Sequence, residues 1–330
     1  MNKKIALVTG GYSGEAVISY KSAKTIYKHL NKEIYDVYVI DLRTDGWWYK
    51  EENGTELPVD KNDFSLTIAG TKITFESVFI GMHGTPGEDG KLQGYFDMMG
   101  LPYTSCNAAT SAITFNKRYT VAVADFAGIH VAKSVHLFKH ETIDAGSINL
   151  QLPVFVKPNN GGSSIGMSKV SKKENLAAAI EKAFAEDDQV LVEEMITGRE
   201  FTIGVFEVNG EVIALPMTEV KADADMEFFD FVAKYQGKST EITPAVASQE
   251  VYNKINDTAK KIYKVFHCSG VIRIDFIYNE AEQQPYMLEI NTIPGQSDAS
   301  IVPQQVKAYG WTLEQFYAAL IEEAIKKKSA

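Results

Sequence analysis

The chain has 330 residues, enough for two or three compact units, and its 45% hydrophobic and 23% charged content is that of an ordinary soluble globular protein. A formal net charge of −10, with lysines and arginines spread along the chain, argues against the basic face that general nucleic-acid binding needs. Two cysteines, Cys106 and Cys268, without ligand-like spacing, argue against a disulfide framework or a thiolate zinc site.

Residues 5–8 read as a buried parallel strand ending at Gly10 and Gly11, and the run is too short for the apolar core of a signal peptide. No stretch nears the roughly 20 apolar residues that span a bilayer, so the expectation is a cytoplasmic protein with no membrane partner. A helix is expected over about 15–30 and further strands at 37–40 and 77–80. Strands alternating with helices predict a parallel sheet with crossover helices, ending near 103–105. A helix over about 116–128 opens a second unit with a strand at 154–157, a Gly/Ser loop, a helix over about 172–186 and a strand at 190–193. Beyond Thr197 and Gly198, strands at 201–208 and 211–215 are joined by Asn209 and Gly210, a strong hairpin signal. The stretch over about 221–244 has little periodicity and reads as a functional loop. A helix over about 249–266, a hairpin over 271–291 and a helix over about 312–327 complete the chain. The expected fold is α/β (α+β), divided as 1–105, 106–197 and 198–330.

The last hairpin carries the most chemistry. Strand side chains alternate between faces, so Arg273 and Asp275 share one face while Ile272, Ile274 and Phe276 share the other. Glu289 and Asn291 share a face in the same way, backed by Leu288 and Ile290. Antiparallel pairing then gathers Asp275, Glu289 and Asn291 beside Arg273. Two carboxylates and an amide oxygen are hard donors suited to Mg²⁺ completed by substrate phosphates. The competing reading is a structural salt bridge from Arg273 to Asp275 or Glu289. The turn at Thr292, Ile293, Pro294 and Gly295 favours the metal, because it aims backbone N–H groups at the same place.

The run 157–166, KPNNGGSSIG, follows a strand. Its glycines allow close backbone approach to phosphate, successive N–H groups make an anion-binding concavity, and Lys157 adds a charge. The other reading is a solvent-exposed turn; flanking lysine and metal-like hairpin favour phosphate. The run 9–15, TGGYSGE, resembles the loop of short-chain dehydrogenases, but Ala16 stands where the last glycine belongs. Tyr20 and Lys24 imitate that family's YxxxK pair too close to the loop. A nicotinamide-dependent oxidoreductase is therefore the alternative, one with no account of the Arg273 cluster.

In order and spacing, these segments, with His83 and Gly84, the run 87–90 (GEDG), 92–94 (LQG), 100–104 (GLPYT), 233–235 (AKY) and 289–295 (EINTIPG), resemble the D-alanine–D-alanine ligase family of the ATP-grasp superfamily. The resemblance runs through almost the whole chain. It implies an ATP-grasp fold with an N-terminal parallel-sheet domain and two α+β subdomains that clasp ATP. It also implies a homodimer and a reaction in which ATP phosphorylates one D-alanine before the amine of a second attacks. Carried over residue by residue, Glu15 would hold the first substrate's ammonium, linked to Ser163 and Tyr235, with His83 and Glu88 close by. Lys117, Lys157, Ser164 and Lys234 would contact ATP, Lys234 near the γ-phosphate. Glu193, Glu194, Met195 and Ile196 would line the adenine pocket, and Glu200 would bind the ribose. Asp275, Glu289 and Asn291 would bind two Mg²⁺ (or Mn²⁺), Glu289 bridging, while Arg273 and the Gly295 N–H would form the oxyanion hole. Ser300 and the backbone of Ile301 would receive the second carboxylate. Residues 226–238 would form a lid. Gln296, Ser297 and Ile301 depart from the family's pattern near the second substrate, leaving D-serine or D-lactate as alternative acceptors. Tyr235 favours the amine.

Overall fold

The strand β1 (Lys3–Gly10) is buried on both faces, as the middle of a parallel sheet must be. Ile5 and Leu7 pack under α1 (Ala16–His29), and Ala6 and Val8 face a second core. The computed structural model describes residues 2–161, 165–222 and 239–329. Next come β2 (Tyr35–Arg43), β3 (Gly46–Lys50), β4 (Glu56–Pro58), the small β5 (Leu66–Ile68) and β6 (Thr71–Ile73) pair, and β7 (Ser77–Ile80). The sheet order is β4-β3-β2-β1-β7, with β2, β1 and β7 parallel as expected. The antiparallel edge of β3 and β4 was not expected. It is short, and Trp47 holds it by edge-on contacts to Phe64 and Tyr95 at 6.0 and 5.1 Å, which no local pattern announces.

The helices α2 (Lys91–Met99), α3 (Ala108–Phe115) and α4 (Lys117–Phe126) lead out of this sheet. Asn107 and Asn116 cap the last two, their side chains accepting from the N–H of Thr110 and Tyr119 at 2.8 and 3.1 Å. The next sheet has the order β10-β9-β11-β8, from β8 (Ser134–Phe138), β9 (Val154–Pro158), β10 (Ser168–Val170) and β11 (Gln189–Glu194). One face packs Val154, Val156, Val190 and Val192 against α5 (Leu176–Phe184). The helix is shorter than expected, because 173–175 form a 3-10 turn before it.

The third sheet runs β15-β14-β12-β16-β17, with β13 also on β12. Its strands are β12 (Arg199–Val208), β13 (Glu211–Ala214), β14 (Thr218–Ala222), β15 (Ser239–Ile242), β16 (Ile272–Asn279) and β17 (Gln284–Asn291). Asn209 and Gly210 take φ of 53° and 80°, the positive pair a tight hairpin needs. The expectation of an irregular 221–244 needs correction, since β14 and β15 at its two ends pair antiparallel.

This sheet has two unlike faces. Phe201, Ile203, Ile272, Ile274 and Phe276 pack under α6 (Gln249–Val265), whose Ile255, Ala259 and Ile262 supply the matching stripe. The opposite face carries Glu200, Thr202, Arg273 and Asp275, and α7 (Ile301–Tyr309) lies along it. There, Gln305 is fully buried, donating to Thr202 O and Thr218 Oγ1 and accepting from Gly204 N. A Cβ at Gly204 would meet Leu215 and Gln305 at 2.8 and 3.0 Å, so the close approach of α7 depends on that glycine. α8 (Leu313–Ser329) returns to the first sheet, packing Phe316 and Tyr317 beside Ile5 and Leu7. Among the described residues no helix is long and apolar enough to cross a membrane.

Candidate active site

A cavity of about 420 Å³ opens where the first sheet, the loop at Gly161 and the polar face of the third sheet meet. That volume falls in the range of small-molecule sites. Its walls include Glu15, His83, Lys117, Glu200, Arg273 and Gly295.

The β16–β17 hairpin pairs antiparallel as expected, with Arg273 opposite Asn291 and Asp275 opposite Glu289. Arg273 makes a fork to Asp275, Nε to Oδ1 at 2.8 Å and Nη2 to Oδ2 at 2.7 Å, and lies 3.8 Å from Glu289 Oε1. Thr202 Oγ1 donates to Asp275 Oδ1 at 2.5 Å, and Asn291 Nδ2 approaches Oδ2 at 3.4 Å. Asn291 thereby keeps its amide oxygen available for a cation. One expectation is corrected: the register shifts between Asp275 and Phe276, leaving Leu288 without a partner and putting Met287 in the core beside Ile290. Such a bulge bends the strand and re-aims the side chains next to it. Among the described residues no group of three or more His, Cys, Asp or Glu is arranged to hold a metal ion. Two carboxylates and an amide remain a donor set that fits Mg²⁺, which keeps open positions for phosphate and water.

Glu15 immediately precedes α1, with its N–H on Ser13 Oγ at 3.3 Å. Burial, and then the charge of Glu88, push its carboxyl above the usual glutamate range, while His83, Ser13 and Lys117 pull the other way. His83 contacts Ser22 Oγ through Nε2 at 2.8 Å and faces Glu88 Oε1 through Nδ1 at 3.9 Å. Glu88 Oε2 accepts from Gly84 N at 3.1 Å. His83 is thus held on both sides, the geometry of a fixed wall.

Lys117 Nζ donates to Gly161 O at 2.7 Å, so its ammonium sits at the entrance of the Gly/Ser loop. Lys157 projects from the face of β9 opposite α5, where Nζ pairs with Glu193 Oε1 at 2.5 Å. The sequence suggests separate tasks for these two; the antiparallel register, with Lys157 opposite Leu191 and Glu193 opposite Phe155, sets them diagonally adjacent on one face, where they form the ion pair. Neither they nor residues 194–196 are on the cavity wall drawn by the described residues. Glu194 Oε1 accepts from Gln151 N at 2.7 Å, and Met195 N donates to Pro153 O. Ser163, Ser164, Lys234, Tyr235 and the expected lid at 226–238 lie outside the described residues.

Ser300 precedes α7 in extended backbone, and its hydroxyl accepts from Ser297 N at 3.1 Å instead of capping its own helix. The start of α7, with Ser300, Ile301 and Val302, lines the cavity, and a helix N-terminus favours an anion. A Cβ at Gly295 would come within 2.8 Å of Ser300 Oγ and 3.3 Å of its Cβ, so a larger residue there would displace the Ser300 side chain. The sequence reading missed Thr202, Ser22 and the partners of Gln296. Their role comes from contacts between distant elements, and no local motif surrounds them.

The family model described as D-ala D-ala ligase N-terminus matches residues 4–106, and the one described as D-ala D-ala ligase C-terminus matches residues 115–322. The chain is 46% identical to a D-alanine–D-alanine ligase of Flavobacterium johnsoniae, over 97% of this chain and 98% of that one. Its fold matches VanG D-Ala:D-Ser ligase from Enterococcus faecalis with a TM-score of 0.87 at 31% identity, over 98% of this chain and 100% of that one. It matches D-alanyl-alanine synthetase A from Vibrio cholerae with the same TM-score at 27% identity, over 98% and 99%. The architecture is the ATP-grasp fold, and the oxidoreductase alternative finds no support in these matches. With both halves matched by these models and a near-full-length relative 46% identical, the chain belongs to the D-alanine–D-alanine ligase family.

Proposed function

We propose that this chain joins two D-alanines at the expense of ATP, as an enzyme of peptidoglycan precursor synthesis that works in the cytoplasm as a homodimer. The observation that carries the reading is one cavity bringing Glu15, the Arg273–Asp275–Glu289–Asn291 cluster, Gly295 and the start of α7 together. The three sheets support a division into units 1–105, 106–197 and 198–330.

The carboxylate of the first D-alanine attacks the γ-phosphorus of ATP, and ADP leaves. The amine of the second attacks the acyl carbon, and phosphate departs from the tetrahedral intermediate. Glu15 holds the first ammonium, with His83 and Glu88 as the wall behind it. Lys117, Lys157 and Lys234, with Ser164 in the Gly/Ser loop, hold the phosphates; Glu193, Glu194, Met195, Ile196 and Glu200 hold the adenosine. Asp275, Glu289 and Asn291 would hold two Mg²⁺ (Mn²⁺ as a substitute), which when bound would supply positive charge against the phosphates. Arg273 and the Gly295 N–H face the developing oxyanion, where preorganised donors count most. The start of α7, with Ser300 and Ile301, takes the carboxylate of the second substrate. Ser163 and Tyr235 complete the link from Glu15, and residues 226–238 close over the site to keep water from the acylphosphate.

The reading is tested by phosphate release from ATP and Mg²⁺ with D-alanine, L-alanine, D-serine and D-lactate in separate reactions, products identified by mass. D-Alanine alone is expected to give turnover and a dipeptide. D-Serine must be included, since the matched E. faecalis structure is titled a D-Ala:D-Ser ligase. Turnover only with another acceptor would overturn the substrate, and none with any of them would overturn the reaction.

The elevated carboxyl of Glu15 gives a pH prediction. Only the ionised form holds an ammonium, so a raised value moves loss of substrate binding to higher pH. The acid limb of kcat/KM for D-alanine is therefore expected above the ordinary glutamate value of 4.5. Because Glu88 is the second cause of the rise, Glu88→Gln should move the limb to lower pH. A limb that stays put in that variant would refute the assignment of Glu15.

A further inference from the structure

Gln296 follows the Gly295 turn and is only 4% exposed. Its side chain folds back over the turn, Nε2 donating to Pro294 O at 3.1 Å and Oε1 accepting from the Tyr317 hydroxyl at 3.3 Å. Its backbone N–H donates to Ser22 Oγ at 3.1 Å, and Ser22, fully buried in α1, also contacts His83. The amide's orientation is fixed by these partners. Pro294 O can only accept, so nitrogen must face it and oxygen must face Tyr317. Burial raises the Tyr317 phenol, which keeps its proton as a donor.

The peptide unit between Pro294 and Gly295 is trans, and in a trans unit C=O and N–H point in opposite directions. Drawing the Pro294 carbonyl toward the buried Gln296 amide therefore turns the Gly295 N–H the other way. Pro294 and Gly295 both line the cavity. An apolar side chain at 296 would release the carbonyl and let the peptide plane rock.

We propose that the Gln296 carboxamide is a positioning residue that aims the Gly295 N–H at the oxyanion, held in place by Tyr317 and tied through Ser22 to the His83 wall. The inference rests on the ligase reading and deepens it. A donor that matters only in the transition state changes kcat and leaves ground-state binding alone.

Gln296→Met keeps the volume and removes both amide bonds. It is expected to lower kcat by about 10- to 100-fold, with KM for D-alanine and ATP within about twofold of wild type. Tyr317→Phe is the control: it removes one support from the same side chain yet leaves the Pro294 bond, so kcat should stay within about threefold even where the melting temperature drops. Near-normal kcat in Gln296→Met overturns the inference. So does a loss of kcat that tracks the melting temperature equally in both variants. A spectrum of ¹⁵N-glycine-labelled protein without substrates reads the turn independently of turnover. The Gly295 amide should shift in Gln296→Met and hold in Tyr317→Phe, and an unmoved amide in both overturns the inference. Wild-type protein that releases no phosphate with D-alanine overturns the ligase reading instead, and the glycine spectrum still decides the geometry.

Discussion

Glu289→Gln is expected to lower kcat by on the order of 10³-fold or more while the melting temperature stays within a few degrees of wild type. The two halves of that statement come from different features of the hairpin. Glu289 is the more exposed of the two carboxylates, at 36% against 13% for Asp275, and its ion-pair distance to Arg273 is a loose 3.8 Å. The pair with Arg273 therefore contributes little folding free energy, since half-exposed pairs are worth about 0–1 kcal/mol. The strand pairing that holds it is backbone-borne. Its charge would be needed by the proposed ions, and a neutral amide in its place would hold a divalent cation less strongly. Asp275→Asn should differ. It loses activity as well, but Asp275 also accepts the Arg273 fork and the Thr202 hydroxyl, so it should cost about 1–3 kcal/mol of stability. Steady-state rates, thermal melts and calorimetric titration with Mg²⁺–ATP separate the two. Near-normal turnover in both variants would sink the metal assignment and leave the cluster as a salt bridge.

How far that cluster could be read in advance follows from the period of a strand. Arg273, Asp275, Glu289 and Asn291 were legible because residues two apart share a face and the short connection fixes antiparallel pairing. The same rule failed one residue away, at Leu288, because a bulge adds a residue without changing composition. β1, β7 and the Asn209–Gly210 hairpin were legible as buried apolar runs and turn chemistry. β3, β4 and β10 were not: at three to five residues they depend on neighbouring strands for their hydrogen bonds. α2 starts without a capping side chain, at Gly90 with φ of 85°, so its beginning carried no signal. The partnership of Lys157 with Glu193 was hidden for another reason. Both residues were singled out, but only the β9–β11 register could say that they touch.

Arg273 gives the second large expectation and the sharper choice between the two readings of the hairpin. Arg273→Lys keeps the charge but loses the planar fork that meets both oxygens of Asp275, and a point charge cannot hold that carboxylate and still face an oxyanion. Its kcat is expected to fall by about 10²-fold or more, and Arg273→Met by at least as much, within the usual cost of removing one oxyanion donor. Stability should respond differently. In Arg273→Met the Asp275 and Glu289 carboxylates face each other across the pair with their common cation gone. Breaking a largely buried pair from one side is destabilising, by about 3–5 kcal/mol when burial is complete and less here, where Arg273 retains 21% exposure. A divalent ion bound between the carboxylates would replace the missing charge. Mg²⁺ binding only the folded state stabilises it by mass action, so its addition should raise the melting temperature of Arg273→Met more than that of the wild type. Differential scanning of both proteins with and without Mg²⁺ measures this directly. An equal rise in both, with turnover restored by lysine, would mean that Arg273 and Asp275 merely brace the strands.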